Sequence, residues 1–144
     1  MDKKIGGEIG MKGGCESVLA KAHGAISKGY PVLLTMDSYG WLTKAPTADK
    51  GLFGVALEDI ASGDVGEFAI SGVCYCYCSG AGGATAGHGM TVSAASAAFV
   101  DSTAGFTGNV GDSAVTDVAA AMETTVAAGL VKCYLNGFAS TGSA

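Results

Sequence analysis

The chain has 144 residues, a formal net charge of −5 and 15% charged side chains, well under the roughly 25% of an average soluble domain. Gly occurs 24 times and Pro only 2, which excludes a collagen-like repeat or a Pro-rich linker and points to short strands joined by tight turns. The acidic balance and scattered lysines provide no basic stripe for phosphates, so nucleic acid is not an expected partner.

Residues 1–17 are Gly-rich and mix Lys3, Lys4 and Lys12 with the isolated apolar Ile5, Ile9 and Met11 in no kept period. Such a segment cannot bury enough surface to order itself. It is expected as a flexible N-terminal arm, either a plain tail or one that orders on a neighbouring subunit, with a single β-domain over 18–144. Gly6, Gly7, Glu8 and Gly10 interrupt any apolar run behind the basic start, which argues against a signal peptide. No stretch approaches 18 continuous apolar residues, so no membrane helix is expected. The 5 cysteines are odd in number and without a secretion signal, so reduced thiols in a cytoplasm are the simplest state.

Residues 18–25 fit either a helical turn or a strand. A turn at Lys28-Gly29 leads into the apolar run Val32-Leu33-Leu34, with Pro31 at the strand's start or on an edge because it lacks an N–H. Asp37 to Gly40 reads as a turn, 41–45 as a second short strand and 46–51 as a surface loop. Val55-Ala56-Leu57 then faces, across the turn chemistry of Gly63-Asp64, a long alternating segment from Glu67 to Cys78. Phe68, Ile70, Cys74, Cys76 and Cys78 share one face of it, and Ala69, Ser71, Val73, Tyr75 and Tyr77 the other. A period of two over that length predicts a strand, and the pair predicts a hairpin.

The second half is weaker. Residues 79–87 form a low-complexity Gly/Ala loop and 90–93 a short strand. Residues 94–111 carry only Ala97, Ala98, Phe99, Val100 and Phe106 as anchors. Residues 115–122 place Val115, Val118, Ala119 and Met122 at helical spacing, but the neighbouring Thr124, Thr125 and Val126 favour a strand. A last strand covers 130–135, ended by Asn136-Gly137. One echo runs through the chain. Ala56-Leu57-Glu58, a turn at Gly63 and a strand to Ile70 resemble Ala121-Met122-Glu123, a turn at Gly129 and a strand to Leu135. Upstream, Gly29-Tyr30-Pro31-Val32 is matched loosely by Gly89-Met90-Thr91-Val92. Two units are too few for a solenoid and fit two similar β-halves closed into one barrel or sandwich.

No constellation carries chemistry. Thiols at Cys74, Cys76 and Cys78 on one strand face sit roughly 6.5–7 Å apart, too far to converge on a zinc that needs ligands at about 2.0–2.3 Å. They read as small packing side chains. His88, in Gly87-His88-Gly89, has no carboxylate or nucleophile beside it in sequence. The run from Gly80 to Gly89 lacks the Lys and the following helix of a phosphate loop. The aspartates, Asp101 among them, read as solvated turn residues. No catalytic residue, metal ligand or cofactor site is therefore expected, and the chain is not expected to be an enzyme. Tyr75 and Tyr77, opposite the cysteine face, are either a covered aromatic layer or a subunit contact, where aromatics are enriched.

The order Gly29-Tyr30-Pro31-Val32, Gly54 to Leu57, Ala61-Ser62-Gly63-Asp64 and Ser71-Gly72-Val73 resembles the capsid decoration (cement) proteins of tailed bacteriophages. The resemblance covers about residues 24–78, with an echo at 85–135. It implies an all-β, compact barrel or tulip-like domain (alternatively a jelly-roll sandwich) on the exterior of the phage head, made in the bacterial host cytoplasm. It implies the major capsid protein as partner, bridged and stabilised, and the chain itself as a trimer or dimer at capsid symmetry axes, with no membrane involved. The contact residues expected are Lys3, Lys4, Ile5, Ile9, Met11 and Lys12 of the arm, with Tyr75 and Tyr77. A self-assembling fibre or tail subunit is the alternative. A small-molecule-binding barrel or cupin-like enzyme is disfavoured, because only two histidines exist and neither lies on a clear strand.

Overall fold

The computed structural model describes residues 10–12, 14–46, 51–93, 96–105, 118–136 and 138–139, all of it β-structure, turns and connections. The strands are β1 (Gly10–Lys12), β2 (Cys15–Lys21), β3 (Pro31–Asp37), β4 (Gly40–Lys44), β5 (Gly51–Ala56) and β6 (Val65–Cys78). They continue with β7 (His88–Ser93), β8 (Ala98–Gly105), β9 (Ala119–Ala121), β10 (Gly129–Asn136) and β11 (Phe138–Ala139). The alternating segment singled out above is the spine. β6 runs 14 residues, long because its apolar and β-branched or aromatic residues satisfy both faces.

Following the pairings, β2-β4-β3-β5-β6 returns to β2, and β6-β10-β9-β7-β8 returns to β6. Two five-stranded rings therefore share one strand. Each is closed by a single parallel contact, Lys21↔Leu42 in the first and Cys78↔Phe99 in the second. The sheet thus closes on itself, and the jelly-roll alternative does not hold. The hairpin expected around Gly63 is present, with Ala56↔Phe68 and Val55↔Ala69 in register. Gly63 has φ +83°, a backbone that favours glycine.

The echo proves to be a structural repeat. Ala121↔Cys133 and Ala120↔Tyr134 repeat the β5–β6 register 65 positions on. The hydrogen bonds follow: Leu57 N–H donates to the Glu67 carbonyl at 3.0 Å, and Met122 N–H to that of Lys132 at 2.8 Å. The Glu58 carboxylate accepts from Glu67 N–H at 3.2 Å, and Glu123 from Lys132 N–H at 3.0 Å. Upstream, the match to Gly89 given by the sequence is two residues out of step. Gly29 and Gly87 donate to the Ala56 and Ala121 carbonyls, both at 2.8 Å, with φ of +90° and +88°. A Gly-rich loop contains several glycines, and only the ladder tells them apart.

The interior of the first ring holds Val18, Ala20, Ala22, Val32, Ile60 and Phe68. In the second ring Cys74, Cys76, Cys78, Met90 and Cys133 stand in the places of Val18, Ala20, Ala22, Val32 and Phe68, and they belong to a larger cluster that reaches Val55 and Ala69 outside the first ring. Two other expectations need correction. Of the arm expected over residues 1–17, the described residues belong to the sheet. Residues 10–12 pair with 15–17, and Cys15 and Ser17 are buried because β2 finds its partner in β6, some 50 positions away. Residues 98–105 form β8 where no strand was expected, since its neighbours on β7 and β6 supply the ladder. Of 115–122, the described part is Val118 and β9, a strand, as the neighbouring Thr and Val residues favour.

Candidate functional site

Of the eight contact residues expected from the resemblance, Lys3, Lys4, Ile5 and Ile9 lie outside the described residues. Met11 and Lys12 sit in β1, where their backbones pair with Glu16 and Cys15. They are thus part of a hairpin. Tyr75 projects from β6 and is 45% exposed. Tyr77, two residues on, is half-buried. Its ring stacks on Tyr30 at 4.8 Å and 10°, and its N–H donates to the Gly29 carbonyl at 2.9 Å. Tyr75 therefore remains available to a partner, while Tyr77 already packs the turn before β3 onto β6. Burial and the neighbouring Tyr77 together raise the Tyr30 phenol above its ordinary value.

No disulfide joins the five thiols, and all five are buried. Their one-face arrangement on β6 is as the alternation requires. Cys74 lies directly across from Cys133, so the second ring packs thiols against one another. A hydrogen bond from Cys76 lowers the Cys74 thiol, against the upward push of burial. Cys76 is raised well above its ordinary value, first by its hydrogen bonds to Cys133 and Cys74 and then by burial. Cys78 donates to the Gly83 carbonyl at 3.6 Å. Among the described residues no group of three or more His, Cys, Asp or Glu is arranged to hold a metal ion.

His88 differs from its sequence expectation. Its Nδ1 lies 2.9 Å from Asp101 Oδ1, and Asp101 Oδ2 also accepts the Thr85 N–H at 2.9 Å. The carboxylate comes from β8, which the local sequence gave no reason to place beside the Gly/Ala loop. That loop is tied down rather than being a loose spacer. Ala86 N–H donates to Thr124 Oγ1 at 3.0 Å and Ala84 N–H to Thr125 Oγ1 at 3.0 Å. Asp101 is a strand residue holding a loop, not a solvated turn residue.

What the surface offers is a sheet face. On the outside of the second ring, Tyr75, Lys132 and Met122 lie side by side in one cross-strand row, with Tyr134 and Leu130 in the rows to either side. Met122, Leu130 and Tyr134 are 48%, 41% and 52% exposed. Clustered aromatic and aliphatic exposure of this kind is a feature that interaction surfaces share. An open apolar cleft of about 250 Å³ borders it, lined by Cys15, Lys28, Leu57, Val73, Cys74 and Tyr75. No helix among the described residues is long and apolar enough to cross a membrane.

By sequence, no protein family matches the chain, and no curated protein matches it either. By structure, it is similar to the head fiber gp8.5 N base in bacteriophage phi29, with a TM-score of 0.59 and 14% identity over 85% of this chain and 95% of that one. At that identity the likeness shows the fold: an all-β single domain of the same architecture.

Proposed function

We propose that this chain is a non-enzymatic structural protein of a tailed-phage virion, attached to the outside of the head. The observation that carries the reading is the fold shared with a head fiber base over nearly the whole of both chains. Turn motifs that resemble capsid decoration proteins point to the same particle. Two finer forms follow. In one, the protein is a cement protein that binds the major capsid protein across capsomer seams and stabilises the assembled shell by mass action. In the other, which the head fiber likeness favours, it is the base that joins a projecting fibre to the shell.

Mass spectrometry of purified virions, followed by cryo-electron microscopy of wild-type and deletion particles, tests this. The protein is expected in the particle, with density on the head exterior that the deletion removes. Loss of a projection marks the fibre base. Heads that burst more easily on heating, without loss of a projection, mark the cement role. Absence from purified virions would refute both. The arm is still the proposed shell contact, but its removal must stop before Gly10 because β1 and β2 follow. A chain lacking residues 1–9 is expected to melt like the full chain yet to lose its occupancy on heads. Unchanged occupancy would remove the arm from the contact.

A further inference from the structure

We infer that the outer face of the second ring is a docking surface for a second copy of this chain, which seats its first ring there in a head-to-tail contact. The inference stands on the repeat and does not depend on where on a virion the protein sits. In the first ring the outer row Ser17, Ala69 and Val55 is buried, and Ala69 and Val55 join the cluster that includes Cys74 and Leu135 of the second ring. The chain covers that face with its own next unit. The same row in the second ring is Val73, Tyr134 and Ala120, and there Tyr134 stands 52% exposed. Terminal units of repeat proteins ordinarily present a polar outer face. This one presents Tyr75, Tyr134, Leu130 and Met122.

Charge selects which part of the second copy fits. The middle row of the second ring is Tyr75, Lys132 and Met122, and Lys132 is exposed. A two-fold contact of this face with itself would bring two copies of Lys132 together. The matching row of the first ring is Leu19, Glu67 and Leu57; a neighbouring carboxylate takes the central N–H of each row, Glu58 on Glu67 and Glu123 on Lys132, so the rows differ in charge at the central side chain. Leu19 and Val65, at 63% exposed each, flank the half-buried Glu67, whose carboxylate also accepts the Ser17 hydroxyl, while the exposed Lys21 lies across from Val65. Row laid on row sets Lys132 against Glu67 and aromatic against aliphatic side chains. Such a contact uses different faces on the two partners, so it closes into a ring or continues as a filament.

Complementary knockouts test this on the full chain, with mass measured by light scattering after gel filtration at high protein concentration and low ionic strength, where a charged contact is least screened. The unaltered chain is expected to self-associate, and Leu19→Asp and Tyr75→Asp are each expected to be monomeric. Mixed in equal amounts they are expected to give a species of twice the monomer mass, because one supplies an intact first-ring face and the other an intact second-ring face. A far-UV melt of each variant confirms folding, and Lys132→Glu replaces Tyr75→Asp should the latter fail. The inference is overturned if the unaltered chain is monomeric, if either variant still associates, or if the mixture stays monomeric. Loss of association through Tyr75→Asp but not Leu19→Asp would also overturn it, as the mark of a two-fold contact.

Discussion

Ile60 and Gly66 in the first ring correspond to Thr125 and Val131 in the second, and the two pairs trade volume. A Cβ at Gly66 would run into Ile60 Cδ1, so the larger side chain at one position requires none at the other. In the second ring the smaller Thr125 leaves room for Val131, which is fully buried. Gly66→Val is expected to destabilise the fold by about 1–3 kcal/mol through overpacking. Adding Ile60→Thr should recover part of that loss in a double-mutant cycle read by urea denaturation, and additive losses would contradict the exchange. The cysteines allow a second prediction. All five are buried, so a thiol reagent at neutral pH should find almost none until the chain unfolds. Cys74, lowered by Cys76 and bordering the cleft, should react first, and Cys76, raised and enclosed, among the last. Rapid labelling of the native protein at Cys76 would contradict this packing.

At the scale of the strand, β6 changes rings at one residue. Gly72 has φ +99°, and a Cβ there would lie 2.5 Å from the Gly14 carbonyl oxygen. The ladder with β2 shifts register between Glu16 and Ser17, leaving Ile70 unpaired between Ser71 and Ala69, as in a bulge that re-aims a strand. Gly72→Ala combines a strained φ with a backbone clash, and it is expected to cost on the order of 1–3 kcal/mol, measured as a lower melting temperature. An unchanged melt would mean that the junction can shift. Much of β6 was legible beforehand, since its alternation over Phe68, Cys74, Cys76 and Cys78 is local information. So was the β5–β6 turn, and with it the faces of Tyr75 and Tyr77. What local pattern could not supply was partnership. β2 carries Ser17 and Glu16 among small residues and is a strand because β6 is there, and Asp101 meets His88 because β8 lies beside β7. The exposed face is a further case. Tyr75 was visible as a candidate, but Met122, Leu130 and Tyr134 come to its side only through the repeat's register.

For the whole molecule, the repeat shows how a chain so rich in Gly and Ala sustains a core. Each ring encloses small side chains around a few large ones, such as Phe68 and Ile60 in the first and Met90 in the second, and both are built on one strand. The places where the strands on either side of β6 meet have a consequence for connectivity. Cys15 at the start of β2 pairs with Gly72, and Asn136 at the end of β10 pairs with Ser71. These two residues flank the middle of β6, roughly 10 Å apart at ordinary strand spacing. A short linker from Asn136 to Cys15 would therefore join them without crossing the molecule. New ends could then be cut in the turn at Ala81 and Gly82, which is exposed. Such a circularly permuted chain would read the second unit before the first and would lack β1 and β11, so its far-UV spectrum and cooperative melt should match those of an unpermuted chain cut back to residues 15–136. Failure to fold would mean that the order of synthesis, and not the set of pairings alone, is needed to bring the two rings together.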